Sequence, residues 1–329
     1  MSAAVLVASF GVLLAGALLF TNAVEWLGHR LGLGQGAVGS LLAAVATALP
    51  ESIIPVVAIV SGTNGDDVAI GAIVGAPFML ATVAMALVGV SAFAFQRTRP
   101  QGRAIDAHLE TLGRDLRFFL VFFALAFGLG LGAPRPVRGA GALVLVVAYG
   151  LYVRSTLRRP GAVQGIGTLK PLIISNTDTT PRLPLIATQL LVALSAIIGG
   201  AHLFVHELVS VARHVGVEPL ILALVLAPLA TELPEKANSF FWTRDGKDTL
   251  ALGNITGAMV FQSTLPVALG LLFTGWDLTG ASIAAATLGL GGGALAVWVL
   301  ENRRRFDIPA IAVWGALYAA FVVYVGMTL

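Results

Sequence analysis

The sequence predicts an all-α integral membrane protein of ten transmembrane helices, arranged as two inverted five-helix repeats. Three observations carry that prediction. Hydrophobic residues make up 57% of the 329-residue chain and charged residues only 11%, well below the roughly 25% of a soluble domain. Apolar stretches long enough to span a bilayer, roughly 20 residues each, recur along the whole length. Finally, one short pattern occurs twice inside such stretches, as Thr47-Ala48-Leu49-Pro50-Glu51 and Thr231-Glu232-Leu233-Pro234-Glu235.

Taken in order, the spans begin with Ala3–Leu27. No Lys or Arg precedes Arg30, so this start lacks the charged region of a secretory signal and reads as a retained helix. Ala37–Val60, Val68–Phe95, the short Leu116–Leu131 and Val137–Leu157 complete the first repeat, residues 1–157. Residues 158–182 are rich in Pro, Gly, Thr and Ser and read as a flexible tether, too short for a folded regulatory module. Leu183–Val211, Pro219–Trp242, Thr249–Phe273, Leu278–Leu300 and Ile308–Thr328 make up the second repeat, residues 183–329.

Charge sets the expected orientation. The odd-numbered connections hold Arg30, then Arg97, Arg99, Arg103, Arg114 and Arg117, then Arg154, Arg158, Arg159, Lys170 and Arg182, then Arg244 and Lys247, and last Arg303, Arg304 and Arg305. The other face holds Arg135, Arg138 and Arg213. A bias of 16 to 3 places the odd connections, the tether among them, in the cytoplasm and both termini outside the cell membrane. The formal charge of +3 is dispersed over short loops, so it is topological and implies no nucleic-acid partner. The expected partners are the lipid bilayer and inorganic cations.

The two halves also match each other. Leu19 through Glu51 aligns without a gap on Leu203 through Glu235 at an offset of 184, placing Gly32 on Gly216 and Thr47 on Thr231. With two residues fewer in the second copy, Ala69–Ala76 then meets Ala251–Ala258. Five spans per copy is an odd number, so the second copy must enter the membrane upside down. Such repeats place a substrate site near the midplane, at interrupted helices, and supply both halves of it, so a monomer suffices.

The repeated pattern carries the chemistry. A proline removes a backbone donor and loosens the preceding turn. A mid-span carboxylate costs roughly 2.5–3.5 kcal/mol on insertion scales. An isolated Glu of this kind more often snorkels or pairs for structure; a repeat-related pair, each following Pro50 or Pro234, points to cation binding instead. Glu51 and Glu235 would arrive from opposite sides and repel unless a cation or protons intervene. Thr47 and Thr231 stand three residues before the prolines, where a hydroxyl could share the cavity with loosened carbonyls. With no cysteine in the chain, oxygen ligands are the default. A Ca²⁺-like ion takes six to eight of them. A cavity that holds ions or protons but is unstable empty meets the physical requirement for exchange.

Other residues weigh less. Gly71–Ala76 and Gly253–Ala258 carry small residues at a spacing that permits close helix packing, while Pro77 and Asn254 also suit interrupted helices, with Asn254 able to lend an amide oxygen. Glu232 and Lys236 are four apart, the favoured order for a helical ion pair, although a kink at Pro234 would disturb that spacing. They either neutralise one another or place Lys236 where a sodium ion would otherwise sit. His202, His206 and Glu207 suit an interface or helix packing better than a metal site, and Asn22 and Glu25 suit a water-accessible vestibule or interface. The Asp66-Asp67 pair reads as solvated loop charge.

These repeats resemble the α-repeats of the sodium/calcium exchanger superfamily of cation antiporters, whose pattern is roughly G-T-S-L-P-E followed by G-N-x-x-G-S-N. The resemblance spans essentially the whole chain. It implies that Glu51 and Glu235 coordinate Ca²⁺, that Thr47 and Thr231 contribute oxygens, and that the first and sixth helices slide across a core of the second, third, seventh and eighth. Departures are specific. The family's Ser before Leu-Pro is Ala48 in one copy and Glu232 in the other. G-S-N becomes Gly75-Ala76-Pro77 and Gly257-Ala258-Met259, and the polar residue beyond it is Leu80 or Gln262. Several sodium ligands are therefore missing, and Glu232, Asn254 and Gln262 join the candidate ligands, with Lys236, Pro50 and Pro234 modulating them.

The expectation is a secondary cation antiporter moving Ca²⁺ or a similar cation against Na⁺ or H⁺, with no cofactor and no covalent chemistry. Proton-coupled exchange of Mg²⁺ or Mn²⁺ and a non-transporting membrane homologue remain open. An intramembrane hydrolase is opposed by the lack of a Ser/His or thiol nucleophile arrangement near the motifs and by the repeat itself.

Overall fold

The computed structural model describes residues 2–30, 51–62, 65–157, 171–175 and 181–328. The described residues are helical apart from short connections and one isolated bridge between Ala104 and Arg305. In chain order the helices are α1 (Ser2–Arg30), α2 (Glu51–Ser61), α3 (Gly65–Ala94), α4 (Leu109–Leu129), α5 (Arg135–Leu157), α6 (Leu183–Val215), α7 (Pro219–Arg244), α8 (Asp248–Phe273), α9 (Gly280–Arg303) and α10 (Ile308–Thr328). Among the described residues seven of them (α1, α3, α5, α6, α8, α9 and α10) are long and apolar enough to cross a membrane. α4 carries Arg114, Asp115 and Arg117 in its first half, and the apolar part of α7 stops at Leu233.

Local chemistry explains the helix ends. Pro184 and Pro219 stand in the first turns of α6 and α7, where a missing N–H costs nothing. Gly216 closes α6 at φ 72°, a left-handed conformation that glycine adopts without strain. Thr279 and Ser282 form a reciprocal capping box at the start of α9. With 33 residues, α6 is about 50 Å long, so it must tilt to fit a hydrocarbon layer of about 30 Å.

Burial separates a centre from a periphery. In the most apolar window of each helix, 78% of α3 and 72% of α8 are buried, against 28% or less for α1, α5, α6 and α10. α3 packs against α7 and α9, and α8 against α7 and α4, while α1 and α6 form the most extensive single pair. Both central helices are irregular. α3 contains Pro77 and a π turn at Leu80–Ala84, and α8 breaks after Gln262 and resumes at Leu265. At each irregularity a threonine hydroxyl reaches back four residues: Thr82 donates to the Phe78 carbonyl at 2.7 Å, and Thr264 to the Val260 carbonyl at 2.8 Å. Irregular backbone at membrane depth survives where such groups are satisfied inside the protein.

Two long-range ties hold the basic end of the bundle. Arg99, in the α3–α4 connection, is buried and donates to the carbonyls of Gly102, Ala104 and Thr243 and, at 2.9 Å, to Asp248 Oδ2. The same carboxylate oxygen accepts from Gln101 Nε2 and from the Asp106 amide. The second tie departs from a flexible tether. Leu172 is fully buried among Ala23, Trp26 and Ile186. Asn22 donates to the Pro171 carbonyl and accepts from the Ile173 amide, and Gln189 accepts from the Ile174 amide while donating to Asn22 and the Leu19 carbonyl. Of the two settings its sequence suggests, Asn22 is thus at an interface and not a vestibule, buried where the segment 171–175 packs between α1 and α6.

Candidate cation site

α2, α3 and α7 meet around a small cavity. Glu51 and Ile54 of α2, Ala72 and Ala76 of α3, and Ala227, Pro228 and Thr231 of α7 line it. The free volume open to the centre of a water-sized sphere is about 10 Å³, room for one water or one bare ion. Glu51 is buried at 7% exposure, and Thr231 is buried with its hydroxyl donating to the Ala227 carbonyl at 3.2 Å. The wall is tight because α3 presents glycine to α7. A Cβ on Gly75 would lie 2.3 Å from the Leu224 carbonyl oxygen, and one on Gly71 would lie 2.5 Å from that of Leu220. On α3 the small residues therefore serve close helix approach, and Ala72 and Ala76 ride with them onto the cavity wall, whereas a Cβ on Gly253 or Gly257 of α8 would meet nothing within 4 Å.

Beside the cavity lies an ionic cluster. α7 runs as one helix from Pro219 to Arg244 despite Pro228 and Pro234, so the spacing from Glu232 to Lys236 is preserved. Lys236 Nζ donates to Glu232 Oε2 at 2.5 Å, and Gln262 Nε2 of α8 donates to Glu232 Oε1 at 3.0 Å. All three residues are buried. Both carboxylate oxygens of Glu232 accordingly hold protein donors. One turn further along, Asn254 of α8 donates its amide nitrogen to Ser239 Oγ at 3.1 Å.

The structure thus brings Glu51 to Thr231 and, separately, Glu232 to Lys236 and Gln262. Thr47 and Pro50 lie outside the described residues, as do the side chains of Pro234 and Glu235. His202 and His206 are exposed on α6, with His206 Nδ1 3.2 Å from Glu207 Oε1. Among the described residues no three His, Cys, Asp or Glu side chains gather as a metal-holding group.

Sequence reasoning missed Pro228, Ile54, Ala72 and Ala76 as wall residues. Pro228 has no N–H for the Leu224 carbonyl, the oxygen that Gly75 approaches. A search guided by the repeat passes over it, because its counterpart at the offset of 184 is Ala44.

Seven long apolar helices among the described residues, packed about the buried and irregular α3 and α8, define a multi-pass membrane protein. The chain belongs to the sodium/calcium exchanger protein family, whose model matches residues 1–157 and 185–327, and it is a cation antiporter of that family. It is 34% identical over 83 residues to CaxA of Alkalimonas amylolytica, a match covering 25% of this chain and 26% of that one. The solved structure of the H⁺/Ca²⁺ exchanger CAX superposes with a TM-score of 0.75 at 18% identity, covering 99% of this chain and 86% of that chain. That of the sodium-calcium exchanger NCX_Mj, soaked with 10 mM Na⁺ and zero Ca²⁺, gives 0.61 at 18% identity, covering 98% of each. At these identities the superpositions speak for the fold.

Proposed function

We propose that this protein exchanges Ca²⁺ or a similar cation for Na⁺ or H⁺ through alternating access to a site shared by Glu51 and Glu235. Thr47 and Thr231 supply further oxygens. The observation that carries the reading is the cavity between α2, α3 and α7, where Glu51 and Thr231 face a space of ionic size. The proposed scaffold is ten spans in two inverted repeats, 1–157 and 183–329, joined by 158–182 on the cytoplasmic side of the plasma membrane, with both termini outside. A monomer contains the whole site.

Paired contacts support the repeat. Gly16 of α1 faces Ile197 of α6, while Gly200 of α6 faces Leu13 of α1, and both residue pairs are related by the offset of 184. The Thr82–Phe78 and Thr264–Val260 bonds are related by 182, the offset of the later alignment. So are the aspartates that open the third helix of each half: Asp66 accepts from the Gly275 amide beyond α8, and Asp248 from Arg99 beyond α3. α1 and α6 are the proposed sliding pair, with α2, α3, α7 and α8 as the core they cross. Two carboxylates that meet without a cation or proton repel, so release of one ion is coupled to arrival of another.

Proton as counter-ion is the reading favoured by the cavity wall. Its described side chains bring oxygens only from Glu51 and Thr231, and a proton needs no more than a carboxylate. The test is cation-driven Ca²⁺ uptake into proteoliposomes, with parent, Glu51→Gln and Glu235→Gln compared under a sodium gradient and under a pH gradient without sodium. Both variants are expected to lose exchange. Undiminished exchange in both disposes of the site, and failure of a pH gradient to drive the parent disposes of the proton.

A further inference from the structure

Glu232 and Lys236 sit next to the candidate cavity but belong to the second repeat alone: their first-repeat counterparts are Ala48 and Ser52. The second repeat alone therefore carries an acid and a base here, together at no net charge. An ion pair buried to this degree is a poor source of stability, since well-packed apolar residues of similar volume do as well or better. Its geometry suggests another use. The ammonium nitrogen lies 2.5 Å from Glu232 Oε2, a charge-assisted contact that sets a full positive charge directly against the buried carboxylate. Gln262, on a different helix, takes the other oxygen and fixes the carboxylate in place. Glu232 follows Thr231 directly, so one residue of α7 faces the cavity and the next, about 100° round the helix, holds the ammonium.

We propose that Lys236 is a tethered cation: its ammonium fills the position against Glu232 Oε2 that a monovalent cation would otherwise take, while Gln262 holds the other carboxylate oxygen, so the exchanger carries one counter-ion fewer. The inference rests on the site reading above and specifies its ion count. The unbranched four-carbon stem delivers a compact point charge, which a guanidinium fork would not. With the position filled from within, Glu232 needs no solution ion, and cargo is left to the Glu51 side of the site.

The decisive experiment is thermal unfolding of purified, monodisperse protein in NaCl against choline chloride at equal ionic strength. Parent protein is expected to show no sodium-specific rise in Tm. Lys236→Ser, which vacates the position but leaves Glu232, is expected to gain one, because a ligand that binds only the folded state raises its stability. Glu232→Gln/Lys236→Ser, lacking the carboxylate, is expected to lose it again. A Lys236→Ser protein that responds to sodium no more than the parent overturns the proposal. So does a sodium-specific response of the same size in the double variant. If Lys236→Ser does not fold, Glu232→Gln decides by calorimetry with CaCl₂. It leaves the ammonium uncompensated beside the cavity and is expected to weaken Ca²⁺ binding on the order of tenfold, with Glu232→Gln/Lys236→Gln restoring it. Unchanged affinity in Glu232→Gln overturns the proposal. The Glu51→Gln flux test is independent: its failure removes the cargo site, whereas the sodium-specific Tm shift of Lys236→Ser stands or falls alone.

Discussion

Replacing Gly75 with alanine probes the contact on which the cavity wall depends. The added Cβ would lie 2.3 Å from the Leu224 carbonyl oxygen and 2.9 Å from that residue's carbonyl carbon and Cα, whereas real Cβ atoms essentially never come closer than 3.0 Å. All three atoms are backbone of α7, so no rotamer change relieves the clash, and α3 and α7 must separate by about 0.7 Å or more. Overpacking of this kind costs about 1–3 kcal/mol. Removing a mid-helix glycine recovers up to about 1 kcal/mol of helix propensity. With the full propensity gain the net loss is up to about 2 kcal/mol, and the backbone clash of about 0.7 Å places it toward that upper end. Gly199→Ala, on α6 with nothing within 4 Å of its added Cβ, is the control and is expected to be neutral or slightly stabilising. Unfolding in mixed micelles with rising SDS measures the stability difference, and proteoliposome flux measures the function. Because Ala72 and Ala76 flank Gly75 on the cavity wall, the glycine variant is expected to lose transport as well as stability. A Gly75→Ala protein as stable and as active as Gly199→Ala would refute close helix approach as the basis of the site.

Two further perturbations test the ties at the basic end. Arg99→Met and Asp248→Asn each strand part of a buried network and are expected to cost about 3–5 kcal/mol, with the double variant recovering much of the loss in a thermodynamic cycle. Additive losses would show that the ion pair carries no coupling. Leu172→Ala removes the apolar anchor of the connection between the halves. It is expected to speed limited proteolysis within residues 158–182 on the order of tenfold or more, with little change in the far end of the bundle. A cleavage rate equal to the parent's would mean that the docked segment is not held by that side chain.

The chemistry of the site was legible in part. Glu51 and Thr231 stand out in sequence because they combine a charge or hydroxyl with a proline inside an apolar run, and the structure places both on one cavity. The Glu232–Lys236 spacing was legible too, but its meaning turned on whether α7 stays helical through Pro234, which it does. The glycines of α3 were readable as a close-packing stripe, although their partner helix was not. Asn22 could be read as a vestibule or an interface residue, and only the assembled helices choose between them: Gln189 of α6 donates to its Oδ1, which also accepts from the Ile173 amide.

What the sequence determined by itself is whatever a local run of residues can express: a multi-pass membrane protein, the basic bias of some connections over others and the recurrence of one short pattern. Tertiary structure decided which side chains meet. Gln262 finds Glu232 across 30 residues, Arg99 finds Asp248 across 149, and the Leu224 carbonyl finds Gly75. The physical reason is that lipid and protein core are equally apolar, so hydropathy identifies a span without fixing which of its faces turns inward. That rotation is set by close fits between helices, a fraction of an ångström at a time, and it appears only when the helices are assembled.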